Sequence, residues 1–167
     1  MDLKETAILD KNIADHWYYN SKAKAMMCLV KKANVSTILD IGAGSGFFSR
    51  YLLKMTSAKE AWCVDINYLD DHDVYESGKK VYLRRNIDSV KADLVLLMDI
   101  LEHVDDDVSL LRNITKKVPN GNLFLISVPA FKFLWSSHDV YLEHKRRYRL
   151  PEIEQVIEKA GLKLQNS

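Results

Sequence analysis

The chain has 167 residues, of which 47% are hydrophobic and 28% are charged, and its formal net charge is +1. This length predicts a single domain with a substantial buried core, and the near-neutral charge excludes bulk electrostatic binding of nucleic acid. No apolar run reaches the ~20 residues that a membrane helix needs, and the N-terminus is unlike a signal peptide. We therefore expect a cytoplasmic protein without a transmembrane segment.

The first third of the chain predicts a helix, a strand and a second helix. Apolar residues at helical spacing predict the first helix over residues 13–32. A short apolar strand over residues 37–41 runs directly into a group of glycines. Apolar residues then recur at helical spacing over residues 48–55, so a helix follows the glycines.

The remaining chain continues the alternation of strands and helices. Apolar segments predict strands over residues 61–66, 80–84, 92–98 and 123–128. Three aspartates at 105–107 predict the start of a helix whose buried stripe extends to Val118. Pro151 at the first helical position and Gly161 after the last predict the final helix. This order predicts an α/β fold with a parallel sheet and helices on both faces.

Two regions depart from that regular pattern. The segment between Asp65 and Lys80 is too short and too acidic to predict a full crossover helix. The chain also ends at Ser167, only six residues after Gly161. We treat residues 1–167 as one domain, with a helical cap over 1–35 and a ligand-binding core over 36–167.

The loop over residues 40–46, with the sequence Asp-Ile-Gly-Ala-Gly-Ser-Gly, is the main candidate binding element. Glycines tolerate the backbone angles of a tight strand-to-helix turn and let a ligand approach closely, and the N–H groups that begin a helix are free to bind it. A purely structural turn is the alternative interpretation. Asp65 ends the next predicted strand, where we expect an exposed carboxylate that accepts both hydroxyls of a ribose.

The spacing of the glycines bears on which adenosine-type ligand is bound. A dinucleotide fold has Gly-x-Gly-x-x-Gly, in which the third glycine packs helix against strand. Here the third glycine comes one residue earlier, and Phe47 stands where the packing glycine would be. This spacing favours a ligand without a pyrophosphate.

The stretch over residues 38–46 resembles the first motif of class I S-adenosylmethionine-dependent methyltransferases. Residues 92–104 resemble their fourth-strand motif, in the subgroup with Leu-Glu-His after the strand. Residues 16–19, 134–139 and 144–148 resemble a bacterial branch of that subgroup. The resemblance implies a Rossmann-like three-layer sandwich with strand order 3-2-1-4-5, all five strands parallel, and S-adenosyl-L-methionine as cofactor. The antiparallel C-terminal hairpin of the family is missing.

The resemblance also implies roles for single residues. The glycine loop would line the methionine part of the cofactor, Asp40 would orient its amino group, and Asp65 would take the ribose hydroxyls. Ile66 would lie against the adenine, with Asp88 near the adenine amine. Met98 and Asp99 would form the floor near the sulfonium. The implied cofactor-binding residues are Asp40, Gly42, Ala43, Gly44, Gly46, Asp65, Ile66, Asp88, Met98 and Asp99.

The Asp-x-x-Glu-His sequence after the fourth strand offers a second candidate site. Asp99, Glu102 and His103 present three groups that can bind metal, which His138 or His144 could complete, as in a few methyltransferases with a similar motif. The alternative is that Glu102 and His103 only cap the following helix, and we assign no metal ligand from the sequence. Without a metal, His103 or His138 is a candidate general base, since a neutral imidazole suits that work near pH 7.

The loop after the fifth strand carries the only dense basic run and several aromatic residues. Residues 145–147 with Arg149 are either a solvated surface or a receptor for an anionic substrate. Phe131, Phe133 and Trp135 either line an apolar substrate pocket or pack locally.

The expected function is S-adenosylmethionine-dependent methyl transfer to a small-molecule or lipid-intermediate acceptor. The alternatives are a non-catalytic cofactor-binding module and a nicotinamide-dependent oxidoreductase, although no Tyr-x-x-x-Lys pair follows the fourth strand. We expect no nucleic-acid partner, and the absence of an Asn-Pro-Pro-Tyr-like motif after the fourth strand disfavours methylation of nucleic-acid base amines. The free edge of residues 123–128 would permit a homodimer, and we expect residues 162–167 to be frayed or irregularly paired.

Overall fold

A computed structural model of the chain describes residue 13 and residues 15–165. The strands are β1 Thr37–Ile41, β2 Glu60–Val64, β3 His72–Glu76, β4 Lys79–Arg84, β5 Leu94–Met98 and β6 Leu123–Ser127. The helices are α1 Trp17–Val30, α2 Phe47–Met55, α3 Asp107–Thr115, α4 Ser137–Tyr141 and α5 Leu150–Lys159. Short 3₁₀ turns cover Leu101–His103 and Lys132–Leu134.

Within the described residues, the strands form one sheet in the order β3-β4-β2-β1-β5-β6. Strands β4, β2, β1, β5 and β6 are parallel to their neighbours in this order. They reproduce the predicted order 3-2-1-4-5, so the Rossmann-like α/β fold class is confirmed. The prediction was wrong in one respect: β3 adds a sixth strand, antiparallel to β4, at the edge opposite β6.

The additional strand replaces the crossover helix between β2 and β4. The turn between β3 and β4 consists of Ser77 and Gly78, whose φ angles of 52° and 77° match the two-residue hairpin turn that suits strand twist. On β3, Asp73 forms ion pairs with Lys80 and Arg84 of β4, at 2.8 Å and 2.7 Å. The acidic character of this segment therefore serves pairing between strands.

Two hydrophobic cores cover the two faces of the sheet. Ile38 of β1 belongs to one core and its neighbour Leu39 to the other, because successive side chains of a strand point to opposite faces. Helices α1 and α2 contribute to the first core, for example through Ala23 and Leu52. Helices α3 and α5 contribute to the second core. The predicted placement of helices on both faces is confirmed.

The N-terminal and C-terminal regions are described only in part. Helix α1 begins at Trp17 rather than at the predicted residue 13, and residues 1–12 and 14 of the predicted cap lie outside the described residues. No strand follows β6 as far as residue 165, and residues 162–165 form no helix or strand. Residues 166 and 167 of the segment expected to fray also lie outside the described part. Nowhere from residue 15 to residue 165 is a helix long and apolar enough to cross a bilayer.

Strand β6 lies at an open edge of the sheet. It pairs with β5 and, among the residues described, with no strand on its other side. All its residues are only half-buried, whereas β5 is buried throughout. A groove of about 580 Å³ lies between this edge and residues 161–165.

Candidate functional site

The glycine loop lies between β1 and α2, at the carboxyl ends of the central strands. Gly42, Gly44 and Gly46 have φ angles of 65°, 54° and 71°, a left-handed conformation that side chains disfavour. A Cβ atom at position 42 would also stand 2.1 Å from Cδ1 of Ile100. Conformation therefore favours glycine at position 42, and a side chain there would also have to displace the end of the Ile100 side chain.

Backbone hydrogen bonds hold this loop against the end of β2. The N–H groups of Gly42 and Ala43 both donate to the carbonyl of Val64, at 2.7 Å and 3.1 Å. The N–H of Gly46 donates to the carbonyl of Ala43 at 2.8 Å and closes the turn that leads into α2. The first part of the loop is thus fixed by the strand that ends beside it.

Asp65, which follows β2, is bound to the same loop. Its Oδ2 accepts a hydrogen bond from Gly44 N–H at 2.9 Å, and its Oδ1 accepts from the backbone and side-chain amides of Asn67, both at 3.0 Å. The side chain is buried, so our expectation that it is exposed was wrong. It folds back because the loop offers it amide donors. Asp65 therefore has a structural role in the loop in addition to any contact with a ligand.

Tyr68 holds the other side of the glycine loop. Its hydroxyl donates to the carbonyl of Gly44 at 2.7 Å. Burial raises the pKa of Tyr68, and the neighbouring Cys63, Asp40 and Asp65 raise it further. Sequence patterns did not indicate this contact, because Tyr68 lies in an irregular segment without periodicity.

Asp40, on β1 immediately before the loop, is a buried carboxylate. Only 2% of it is exposed, and its Oδ2 has no hydrogen-bond partner among the described residues. Burial raises the pKa of Asp40 to about 6, and the charge of Asp65 adds to the increase. An oxygen that is buried without a partner is costly, so a donor supplied by a ligand would be stabilising here.

Asp99 follows β5 and has a strained backbone with a φ angle of 57°. It forms an ion pair with Lys22 of α1, and Ser127 Oγ donates to it at 3.2 Å. Burial lowers the pKa of Lys22, but Asp99 and the Tyr18 hydroxyl outweigh burial and raise it overall. The sequence reasoning missed Lys22, because only the tertiary fold brings α1 to the end of β5.

The other residues implied as cofactor-binding have different surroundings. Met98 and Ala43 are buried, at 2% exposure each. Ile66 is 78% exposed, and Asp88 lies exposed in the segment after β4. The structure thus brings the glycine loop together with Asp40 and Asp65 and leaves Ile66 on the surface.

A cluster of Glu102, His103 and His144 lies after β5. Each residue offers one ligand atom, and these atoms all lie within 4.8 Å of one another. Glu102 is fully buried, and neither of its carboxylate oxygens has a partner among the residues described. Burial raises the pKa of Glu102 to about 8, and the nearby charge of Asp99 raises it further. The histidine beside His103 is His144 rather than the exposed His138, with ring centroids 4.8 Å apart.

The basic residues of the loop before α5 are paired within the protein. Arg147 donates to both carboxylate oxygens of Asp139, at 2.7 Å and 2.9 Å. Arg146 donates to Asp107 at 3.2 Å, and the hydroxyl of Tyr148 donates to the same carboxylate at 2.8 Å. These contacts use the two arginines to stabilise the loop.

The aromatic residues predicted in that loop lie at the surface. Phe131, Phe133 and Trp135 are 49%, 79% and 42% exposed. They therefore lie outside the core, and the rings of Phe131 and Phe133 pack against each other with their centroids 5.5 Å apart.

Comparison with known proteins relates this geometry to one family. A family model described as a methyltransferase domain matches residues 14–167. A comparison with curated proteins gives no significant match. Many solved structures do match. Those described below are less than 25% identical to this chain, and at that level of identity the likeness shows a common fold.

Three of these structures illustrate the likeness. The O-methyltransferase family 2 protein from Planctomyces limnophilus DSM 3776, in complex with apigenin, is 19% identical with a TM-score of 0.68, over 99% of this chain and 58% of that one. CalO1, a methyltransferase in calicheamicin biosynthesis, in its SAH-bound form, is 16% identical with a TM-score of 0.65, over 95% and 56%. A candidate O-methyltransferase from Nostoc punctiforme PCC 73102 is 21% identical with a TM-score of 0.64, over 84% and 49%.

The chain spans about half the length of these solved structures. The family model, in contrast, matches nearly all of it, including the glycine loop and the segment after β5. The chain therefore belongs to the methyltransferase-domain family.

Proposed function

We propose that this chain binds S-adenosylmethionine at the glycine loop and transfers its methyl group to a small-molecule or lipid-intermediate acceptor. The observation that carries the proposal is Asp40, a buried carboxylate with an unpartnered oxygen directly before a loop of three left-handed glycines. A cationic amino group is the partner that such an oxygen lacks. Membership of the methyltransferase-domain family supports the same ligand.

The residues present fit this cofactor. Asp40 would hold its amino group, and the loop at Gly42 and Gly44 would receive its methionine part without side chains in the way. Asp65 would accept the ribose hydroxyls through lone pairs that Gly44 and Asn67 leave available.

The chemistry requires little beyond positioning. S-adenosylmethionine, when bound, supplies a methyl group on a sulfonium that is already an activated leaving group. The protein has to hold the acceptor atom in line with that methyl group and exclude competing water. We assign Met98 and Asp99 to the floor of this region, where Lys22 fixes the Asp99 carboxylate. For a hydroxyl or amine acceptor, we assign proton removal to His103 or His138.

The solved structures of similar fold guide the choice of acceptors to test. CalO1 was solved in its SAH-bound form, and the protein from Planctomyces limnophilus was solved with apigenin. Hydroxyl acceptors are therefore the first class to test. The pairing of Arg146 and Arg147 with Asp107 and Asp139 favours neutral acceptors over anionic ones, because both guanidinium groups are already engaged.

A non-catalytic cofactor-binding module is the second candidate. Cofactor binding without transfer to any acceptor would distinguish this function from the first.

The experiment measures cofactor binding and methyl transfer in parallel. S-adenosylhomocysteine is titrated calorimetrically into the wild type, Asp65→Asn and Asp70→Asn, and transfer of a radiolabelled methyl group is followed with a set of hydroxyl compounds. We expect Asp65→Asn to weaken binding by at least tenfold, since charge-assisted hydrogen bonds contribute about 1.5–3 kcal/mol. Asp70→Asn is the control, because it changes an exposed carboxylate of the same segment. Equal affinities in the two variants would contradict the ribose assignment.

A further inference from the structure

The segment after β5 contains a buried group that the proposed methyl transfer does not use. Glu102 is fully enclosed, yet both of its carboxylate oxygens lack a partner among the described residues. Buried polar atoms in proteins almost always have a partner, because leaving one without a hydrogen bond costs about 1–3 kcal/mol. A buried carboxylate with two unpartnered oxygens is placed to bind a cation from outside the chain.

Two imidazole rings stand beside that carboxylate. His103 follows Glu102 in the same 3₁₀ turn, whereas His144 comes from the loop between α4 and α5. The two rings are nearly perpendicular, with an interplanar angle of 77° and centroids 4.8 Å apart. One ligand atom from each of the three side chains lies within 4.8 Å of the others.

His144 is oriented by a further carboxylate. Its Nδ1 lies 3.0 Å from Oδ1 of Asp139, which is fully buried and also accepts two hydrogen bonds from Arg147. The Asp139 carboxylate is paired with the permanently charged guanidinium of Arg147, so it acts as an acceptor toward His144, and Nδ1 of His144 is placed to donate to it. The Nε2 atom of His144 is then left as a lone-pair donor. A histidine whose second nitrogen donates to a carboxylate is the usual arrangement of metal-binding histidines.

We propose that Glu102, His103 and His144 form a binding site for a divalent transition-metal ion of the zinc class. Two imidazoles and one carboxylate suit zinc, iron, cobalt and nickel, whereas calcium and magnesium prefer oxygen ligands alone. Zinc–ligand bonds of about 2.0–2.2 Å place neighbouring ligand atoms ~3.4 Å apart, so the ligand atoms need to approach one another by up to about 1.4 Å. Binding of the ion here requires no S-adenosyl cofactor, and with His103 engaged by the ion the proton removal assigned above would fall to His138.

The structure gives this site a different set of ligands from the one that the sequence pattern indicated. Asp99 is engaged by Lys22 and Ser127 instead of joining the cluster. His144 takes the place that His138 could have filled. The site therefore links the turn after β5 to the loop before α5, two segments joined also by the hydrogen bond from Lys145 N–H to the carbonyl of Glu102 at 2.8 Å.

The test titrates chelator-treated protein with Zn²⁺, using calorimetry and a competing chromophoric chelator. The variants are Glu102→Gln and His144→Ala, and His72→Ala is the control because it removes an exposed histidine at the far edge of the sheet. We expect one ion per chain in the wild type and in His72→Ala. Glu102→Gln and His144→Ala each alter a ligand, so each should weaken binding by at least the roughly 10–100-fold that loss of an outer-shell partner costs.

A spectroscopic measurement keeps the test decisive if a variant is unstable. Co²⁺ bound by imidazole and carboxylate in a tetrahedral site gives strong visible absorption, which we expect in the wild type and in His72→Ala but not in His144→Ala. Circular dichroism verifies that each variant is folded. Absence of stoichiometric binding to the wild type, or equal affinity in folded His144→Ala, would overturn the proposal.

Discussion

Two separable constraints act on residues of the glycine loop, one on the backbone conformation and one on the space for a side chain. Both act on Gly42. Its φ angle is left-handed, and a Cβ atom there would clash with Ile100. We predict that Gly42→Ala lowers the free energy of unfolding by more than Gly121→Ala. Gly121 has a φ angle of 90° but open space around it, so its replacement costs only the conformational strain of about 1–2 kcal/mol.

Urea unfolding of the two variants measures this difference. The additional replacement Ile100→Ala should reduce the effect of Gly42→Ala to that of Gly121→Ala, because it removes the atom that clashes. Equal losses in the two single variants would mean that the space at position 42 is not limiting.

The raised pKa of Asp40 predicts that the free energy of unfolding depends on pH. Because burial raises its pKa from 3.8 to about 6, the folded state binds the proton more tightly than the unfolded state does. Stability is therefore highest below pH 3.8 as far as this group is concerned, and it falls as the pH rises to about 6. A shift of about two pH units corresponds to about 3 kcal/mol.

The variant Asp40→Asn tests this prediction. We expect it to remove most of the decrease between pH 4 and pH 6 and to be more stable than the wild type at pH 7, since an amide needs no proton. At the same pH it should bind S-adenosylhomocysteine more weakly, because an amide does not neutralise an amino group. Thermal unfolding over this pH range measures the first effect, and an unchanged pH profile would show that Asp40 is not the titrating group.

The sequence predicts the role of a residue when that role depends on its neighbours along the chain. Gly42, Gly44 and Asp40 lie in one local motif, and the structure places them together at the end of β1. Tertiary contacts decide the rest. The sequence could not show that Asp65 folds back onto Gly44, nor that Lys22 reaches Asp99 across 77 positions of sequence.

At the scale of elements, the β3–β4 hairpin gives a prediction of its own. Its two turn residues both have positive φ angles, and Asn-Gly is the preferred pair for such a turn. We predict that Ser77→Asn raises the free energy of unfolding by a few tenths of a kcal/mol, while Gly78→Ala lowers it by about 1 kcal/mol without any clash. Denaturant unfolding measures both changes, and effects of the opposite sign would contradict the turn geometry.

The same hairpin shows which elements sequence patterns can predict. Buried parallel strands such as β5 produce continuous apolar runs, and all five were predicted to within two residues at each end. Strand β3 is polar and lies at an edge, so it carries no apolar run, and it was missed. The five-residue helix α4 is equally short and was also missed.

At the scale of the whole molecule, the open edge of β6 permits association of two chains. Leu123 N–H bonds to Asp93 and the carbonyl of Ser127 accepts from Asp99, both on the β5 side. The alternation of a strand then directs the backbone groups of Phe124 and Ile126 to the open edge. We propose that the protein forms a homodimer through this edge at high concentration.

Sedimentation measurements over a range of concentrations test this association. Phe124→Pro removes an N–H group from the open edge, while Phe124→Ala removes the same side chain and keeps that group. We predict that Phe124→Pro dissociates the dimer at concentrations where Phe124→Ala does not. A wild type that stays monomeric at all concentrations would contradict the proposal.

The central claim, that the glycine loop with Asp40 binds an S-adenosyl cofactor, is tested most directly by calorimetric titration with two ligands. S-adenosylhomocysteine and NAD share an adenosine but differ in the amino acid group that Asp40 would hold and in the pyrophosphate that this loop does not favour. We predict one molecule of S-adenosylhomocysteine bound per chain, weakened at least tenfold in Asp40→Asn, and no binding of NAD at the same concentrations. Binding of NAD, or no binding of S-adenosylhomocysteine to the folded protein, would contradict it.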